Sequence, residues 1–169
     1  MKRHLFTALF VVLGLTSAFA ADAPKPGGDA VTEPKQALAG IPRDVLQDMR
    51  PGSRKADDAA VKATEVVRKN VEGKTATFKM TVGSVEKFQK KDAPDVTRIR
   101  LKSTNEVIRD SGAAFTVFLM VVPDVTEEAK LAKITKGSKI IVTGVVSNGE
   151  IIARKSTELH IDIMDAKLK

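Results

Sequence analysis

Three cations stand at alternate positions in Arg98-Ile99-Arg100-Leu101-Lys102. On an extended backbone they share one face, spaced about 6–7 Å apart. That spacing approaches the phosphate repeat of a nucleic-acid strand, and Phe118 is the one outward aromatic placed to stack beside it. The ordinary alternative is a solvated strand face, where Lys and Arg are the usual choice. A second row, Glu158, His160 and Asp162, sets a carboxylate, an imidazole and a carboxylate on one strand face. Such a row offers metal ligands, but alternation alone produces rows of this kind and strand residues two apart diverge, so no metal is assigned. Other chemistry is short of residues. With no Cys there is no disulfide, no thiolate zinc site and no thiol nucleophile. No Ser sits in a Gly-x-Ser-x-Gly turn. Pro26-Gly27-Gly28 follows no strand, so no phosphate loop is read and no cofactor is expected.

The chain around these residues is 169 long with a net charge of +7, and 43% of it is hydrophobic, enough for a core. Its start is basic (Lys2, Arg3, His4), then apolar from Leu5 to Leu15, then Ala18-Phe19-Ala20. This is the three-part layout of a secretory signal peptide, residues 1–20, cut before Ala21. The apolar part is short of the roughly 20 residues that span a bilayer. Removing it takes Lys2, Arg3 and no acid, which leaves 149 residues, 26 basic and 21 acidic, net +5, with His160 the one remaining His. No later segment is apolar enough to span a membrane, so a periplasmic or secreted protein is expected.

Residues 21–40 read as a flexible linker, punctuated by Pro24, Pro26, Gly27, Gly28, Pro34 and Gly40. Residues 41–73 read as a helical lead-in. Pro42–Met49 is a short helix with Ile41, Val45 and Met49 on one face, stopped by Pro51-Gly52. A longer helix spans about 57–70, with Asp57 and Asp58 at its start, Arg68 and Lys69 at its end, and a stripe of Ala60, Thr64, Val67 and Val71.

From Lys74 the period becomes two. Ala76, Phe78, Met80 and Val82 face inward on a first strand, and Gly83 marks a bulge or bend. Residues 87–95 read as a charged loop. A second strand covers about 96–103, and a short piece, Glu106–Arg109, precedes a third at 113–122. That third strand is apolar on both faces, so Phe118, Met120 and Val122 require cover, which the 57–70 helix is expected to supply. Asp124 and Glu127 spell a capping box for a helix over 125–132. A fourth strand follows at 139–146, Asn148-Gly149 signals a hairpin, and a last strand at 157–165 turns Leu159, Ile161 and Ile163 inward.

Three strands, a short helix and two strands resembles the OB-fold. The run Leu131-Ala132-Lys133-Ile134-Thr135-Lys136-Gly137-Ser138-Lys139-Ile140-Ile141-Val142-Thr143-Gly144-Val145-Val146 is similar to the helix end, Lys-Gly turn and fourth strand of such domains. Thr157–Lys167 resembles their closing strand. Residues 74–169 as a whole resemble exported bacterial OB-fold proteins, including those grouped with the tRNA anticodon-binding-like domains. The resemblance implies a mainly β, five-stranded Greek-key barrel with a short helix between strands three and four and an N-terminal helical extension. It also implies a non-enzymatic binding or adaptor module of the cell envelope, its ligand a protein segment, an oligosaccharide or a polyanion. In OB-folds the face of strands two and three carries the ligand, which places Arg98, Arg100, Lys102 and Phe118 on the candidate site. Weak binding of a polyanion or single-stranded nucleic acid through that face is the alternative. A secreted nuclease is a further one, since Arg98-Ile99-Arg100-Leu101 resembles the Arg-bearing strand of thermonucleases, but Lys102-Ser103-Thr104 stands in place of their acidic turn.

Overall fold

The computed structural model describes residues 30–90 and 93–169. The expected signal peptide and residues 21–29 of the expected linker lie outside the described residues.

Alternation from Thr75 onward builds β1 (Thr75–Lys90), with Ala76, Phe78, Met80 and Val82 buried as predicted. The strand runs well past Gly83 because it serves two partners. Thr75–Thr81 pairs antiparallel with β5 (Lys139–Ala153), and Val82–Lys90 with β2 (Ala93–Ser103). The change of partner falls at the bulge between Val82 and Ser84. A Cβ on Gly83 would lie 2.8 Å from the Ser103 carbonyl oxygen, so only glycine lets the two backbones cross this closely. The stretch read as a charged loop, 87–95, is thus mostly the outer end of a two-stranded ribbon, residues 91–92 lying outside the described residues.

Beyond β2, β3 (Glu106–Asp110) and β4 (Ala113–Pro123) form a hairpin. β4 pairs in parallel with β6 (Thr157–Leu168) and touches β2 at Leu101↔Val121 and Lys102↔Met120. β5 and β6 pair antiparallel. The ring β1–β2–β4–β6–β5 is therefore closed, with β3 added at the free edge of β4. A five-stranded ring with a parallel third-to-fifth pair and a short helix before its fourth strand is an OB-fold barrel. Phe115, Val117, Leu119, Val121, Leu159, Ile161 and Ile163 fill it from the inward positions expected of them.

Four local expectations give way to packing. Asn148-Gly149 is not a hairpin. β5 runs through it to Ala153 and the chain reverses at Arg154–Ser156, where the Arg154 N–H donates to the Ser156 carbonyl. Gly149 is instead where a helix presses on the sheet, since a Cβ there would meet Val67 Cγ1 and Val71 Cγ2, each at 2.9 Å. That helix, α2 (Ala56–Val71), follows α1 (Arg43–Asp48). It lies along β5, where the Thr64 hydroxyl accepts the Ile151 N–H at 2.9 Å. It therefore does not cover Phe118, Met120 and Val122. The bare backbone at Gly149 offers a groove for valines, and α2 joins the core through Ala59, Ala60, Ala63, Val67 and Val71.

The second half of the expected linker is also packed. Val31 bridges to Ala76, its N–H donating to Thr75 and its carbonyl accepting from Thr77. A 3-10 turn at Pro34–Leu38 buries Ala37 and Leu38. Proline and glycine punctuation masked these apolar anchors. Finally, the capping box dissolves. The Asp124 N–H donates to the Ala166 carbonyl, so Glu127 has no N-cap donor to reach back to. Its buried carboxylate takes the Leu168 N–H and the Lys130 ammonium instead, while Asp124 caps Thr126. What forms is a 3-10 turn, Val125–Glu127, and a one-turn α3 (Glu128–Leu131). Among the described residues no helix is long and apolar enough to cross a membrane.

Candidate ligand-binding face

β2 presents Arg98, Arg100 and Lys102 on the outside of the barrel, and the β1 ladder decides what each meets. Glu86 is the cross-strand partner of Arg100, and Ser84 that of Lys102. The Glu86 carboxylate accepts Arg100 Nη2 on one oxygen and pairs with Lys102 Nζ on the other, both at 2.9 Å. The Ser84 hydroxyl adds a third hydrogen bond at 3.1 Å. Lys102, then Arg100, hold the Glu86 carboxyl down at about 2 against a partial desolvation. The Arg100 guanidinium also lies 5.3 Å from the Phe88 ring centroid, within cation–π range. Arg98 is different: 17% exposed, it donates to the Pro123 carbonyl at 3.2 Å and faces Asp165 at 3.7 Å. It fastens the end of β4 and is not displayed to a ligand.

On the neighbouring strands, Phe118 of β4 and His160 of β6 are register partners in the parallel ladder. Their rings stack at 4.8 Å, and His160 Nε2 contacts Glu158 at 2.9 Å. Met120 sits between Lys102 and Asp162. Burial raises the Asp162 carboxyl above its ordinary range, opposed by a hydrogen bond from Asn148.

The four residues singled out from sequence share this face but not one spot. Arg98 and Arg100 lie toward the β1–β2 ribbon, Phe118 lies at the opposite end, and Lys102 joins the two. Glu86, Phe88 and His160 were missed as members. Glu86 and Phe88 stood in or beside the stretch read as loop. Carrying period two across a one-residue bulge at Gly83 would have put them opposite Arg100 and Arg98. Within the Glu158–His160–Asp162 row Glu158 closes on His160, and among the described residues no three His, Asp or Glu side chains are placed to hold a metal ion.

These pairings carry a pH dependence. The folded-state pKa values of Glu86 and Asp124, both about 2, lie below their ordinary values. Their stabilisation is therefore present above about pH 4.5 and is lost as pH falls toward 2. Thermal melts are expected to drop steadily from pH 5 to pH 2, with a shallower drop in Glu86→Gln. A melting temperature that is flat over that range contradicts the pairing.

No protein-family model matches the chain, and no curated protein sequence matches it. Among solved structures, it is similar to the Plasmodium falciparum SSB in complex with ssDNA, at 16% identity and a TM-score of 0.37 over 56% of this chain and 90% of that one. It is also similar to a small single-stranded DNA-binding protein from Streptomyces coelicolor, at 16% identity and a TM-score of 0.34 over 56% and 91%. A third is DNA binding domain A of S. cerevisiae Replication Protein A, at 10% identity and a TM-score of 0.31 over 56% and 81%. The assignment of the barrel rests on its strand order and on the parallel β4–β6 pair.

Proposed function

We propose that this chain is an exported, non-enzymatic OB-fold module that binds a single-stranded anionic polymer, with nucleic acid as the class, across the outer face of β2 and β4. The observation that supports this reading is the Arg100 guanidinium over Phe88 beside Lys102, a cation and a flat π surface on the face that OB-folds use for extended ligands. The Phe118–His160 stack adds a second flat surface further along. By sequence, residues 86–102 carry six basic residues against Glu86, Asp92 and Asp95.

The same geometry makes the binding weak. Glu86 already holds the position between Arg100 and Lys102 that a phosphate oxygen would take, and Arg98 is committed to Asp165 and Pro123. Two displayed cations neutralise about two phosphates, for a salt slope of about −1 to −2 on single strands. Fluorescence anisotropy with labelled oligo-dT at low ionic strength checks this. Glu86→Gln is expected to tighten binding by about five-fold, as removing one like charge near a phosphate is worth about 1 kcal/mol in an exposed site. Lys102→Ala is expected to weaken binding to a similar degree, and Phe118→Ala to remove one stacked base, about 1–3 kcal/mol. Affinity indifferent to all three substitutions, or to salt, overturns the reading.

The export part of the proposal rests on Lys2-Arg3, the apolar run and Ala18-Phe19-Ala20. Protein recovered from its host is expected to have an intact mass beginning at Ala21. Full-length chain in the cytoplasm would remove this part while leaving the binding face untouched.

A further inference from the structure

A second cationic group lies away from the β2–β4 face, and the ladder register builds it. Lys79 of β1 is opposite Ile141 of β5. On its other side Ile141 exchanges both backbone hydrogen bonds with Lys169, at 2.8 and 2.9 Å. Lys79 and Lys169 therefore flank Ile141 on either side, each about 5 Å away between Cβ atoms. Lys139, opposite Thr81, is two residues along the same face of β5, about 6–7 Å from Ile141. Among the described residues none of the three ammonium groups takes part in an ion pair. This separates them from Arg98, Arg100 and Lys102, which are all engaged.

The three lysines line one cavity of about 600 Å³, a size ordinary for a small-molecule site. Its apolar lining comes from Met80, Val117, Leu119 and Ile140, and its neutral polar groups from Ser103, Thr104 and Asn105. A single side-chain carboxylate, Glu106, shares the lining. The cavity exists because β4 leaves β2 after Lys102 and pairs with β3, while the Thr104 N–H returns to the Thr81 carbonyl, which leaves the wall between β1 and the β3–β4 hairpin unpaired.

We propose that this cavity binds a small phosphate monoester with an apolar body, the phosphate among Lys79, Lys139 and Lys169 and the body against Met80, Leu119 and Ile140. Charge complementarity selects the head group. Three unpaired ammonium groups against one side-chain carboxylate favour an anionic head group, and lysine acts there as a point charge requiring no planar partner. The apolar lining selects against a fully hydrated anion. The shared chemistry is the phosphate monoester, whose source is either a free metabolite or the headgroup of a lipid.

The test is methyl-resolved NMR of the mature chain titrated with phenyl phosphate, inorganic phosphate and phosphatidic-acid vesicles. Phenyl phosphate is expected to shift the Met80, Leu119 and Ile140 methyls saturably and at least about ten-fold more tightly than inorganic phosphate. Lys79→Ala with Lys139→Ala is expected to abolish the shift, and Lys62→Ala on α2 to leave it unchanged. All three are exposed lysines, so the fold tolerates their removal. Co-sedimentation with the vesicles assigns the lipid source, and its absence assigns the free one. Oligo-dT binding is expected to be unaffected by the double substitution, and Lys102→Ala to leave phenyl phosphate binding intact, so each site can fail without the other. No methyl shift, a shift that survives the double substitution, or equal affinity for inorganic phosphate overturns the proposal.

Discussion

A chain that begins at Lys74 is expected not to fold cooperatively, although every barrel strand is present in it. The segment lost is not a tether. It contributes Val31, Leu38, Ile41, Leu46, Met49, Ala63, Val67 and Val71 to the same buried cluster as Phe115, Leu159 and Ile161. Removing it uncovers β5 under α2, where Ile151 and Gly149 lie, and frees the Thr157 hydroxyl from the Met49 carbonyl. Exposing three large apolar side chains at about 100 Å² each costs about 7 kcal/mol, comparable with the whole stability of an ordinary domain. The chain beginning at Ala30 retains the Val31 bridge and is expected to melt sharply. A chain beginning at Ile41 lacks Val31 and Leu38 and is expected to fall between them. Circular-dichroism melts and gel filtration of the three chains decide it, and equal melting temperatures would sink the argument.

Gly149→Val is expected to cost about 3 kcal/mol, with Gly149→Ala causing a smaller loss in the same direction. The site is tight on its α2 side: the Cβ position lies 2.9 Å from two valine methyls, and those valines are fixed on a helix that also bonds Ile151 through Thr64. Relief requires α2 to move away from β5, and overpacking of this kind costs about 1–3 kcal/mol, occasionally more. Hydrogen exchange separates this from a general loss of strand propensity, since the Ile151 amide should lose protection before the amides of β4 do. Substitution without loss of stability would mean that α2 does not press on Gly149 in solution.

Gly149 also shows where sequence reasoning reaches its limit. Inward residues on β1, β4 and β6 were legible because burial against a barrel imposes period two, and the order of strands and helix was enough to name the fold. Asn-Gly reads as a hairpin because the dipeptide has turn propensity. What decides its role is Val67 and Val71, some eighty residues earlier, and no local pattern carries that. The linker misled for a similar reason, since proline and glycine hid the two anchors, Val31 and Leu38. The candidate face was legible only in part. Alternation placed Arg98, Arg100, Lys102 and Phe118 outward correctly. Their charge state as a group depends on Glu86, which becomes their neighbour only because β1 continues through a bulge. Parity predicts a side chain's direction and is silent on what sits beside it.

β1 divides its length between two partners, and this has a kinetic consequence. The pairings β1–β2, β3–β4 and β5–β6 are hairpins, formed by residues close along the chain. Closure is not local: Thr75–Thr81 must find Lys139–Val145, and β4 must lie parallel to β6 across the intervening β5. Topologies dominated by such distant pairings pay loop entropy before contacts compensate, and they reach the native state in milliseconds to seconds, not microseconds. Until the ring shuts, the free edges of β1 and β4 are open to pairing with another chain. In the closed ring the N-terminal segment covers part of the remaining β1 edge, where Val31 bridges to Ala76, and α2 lies along β5.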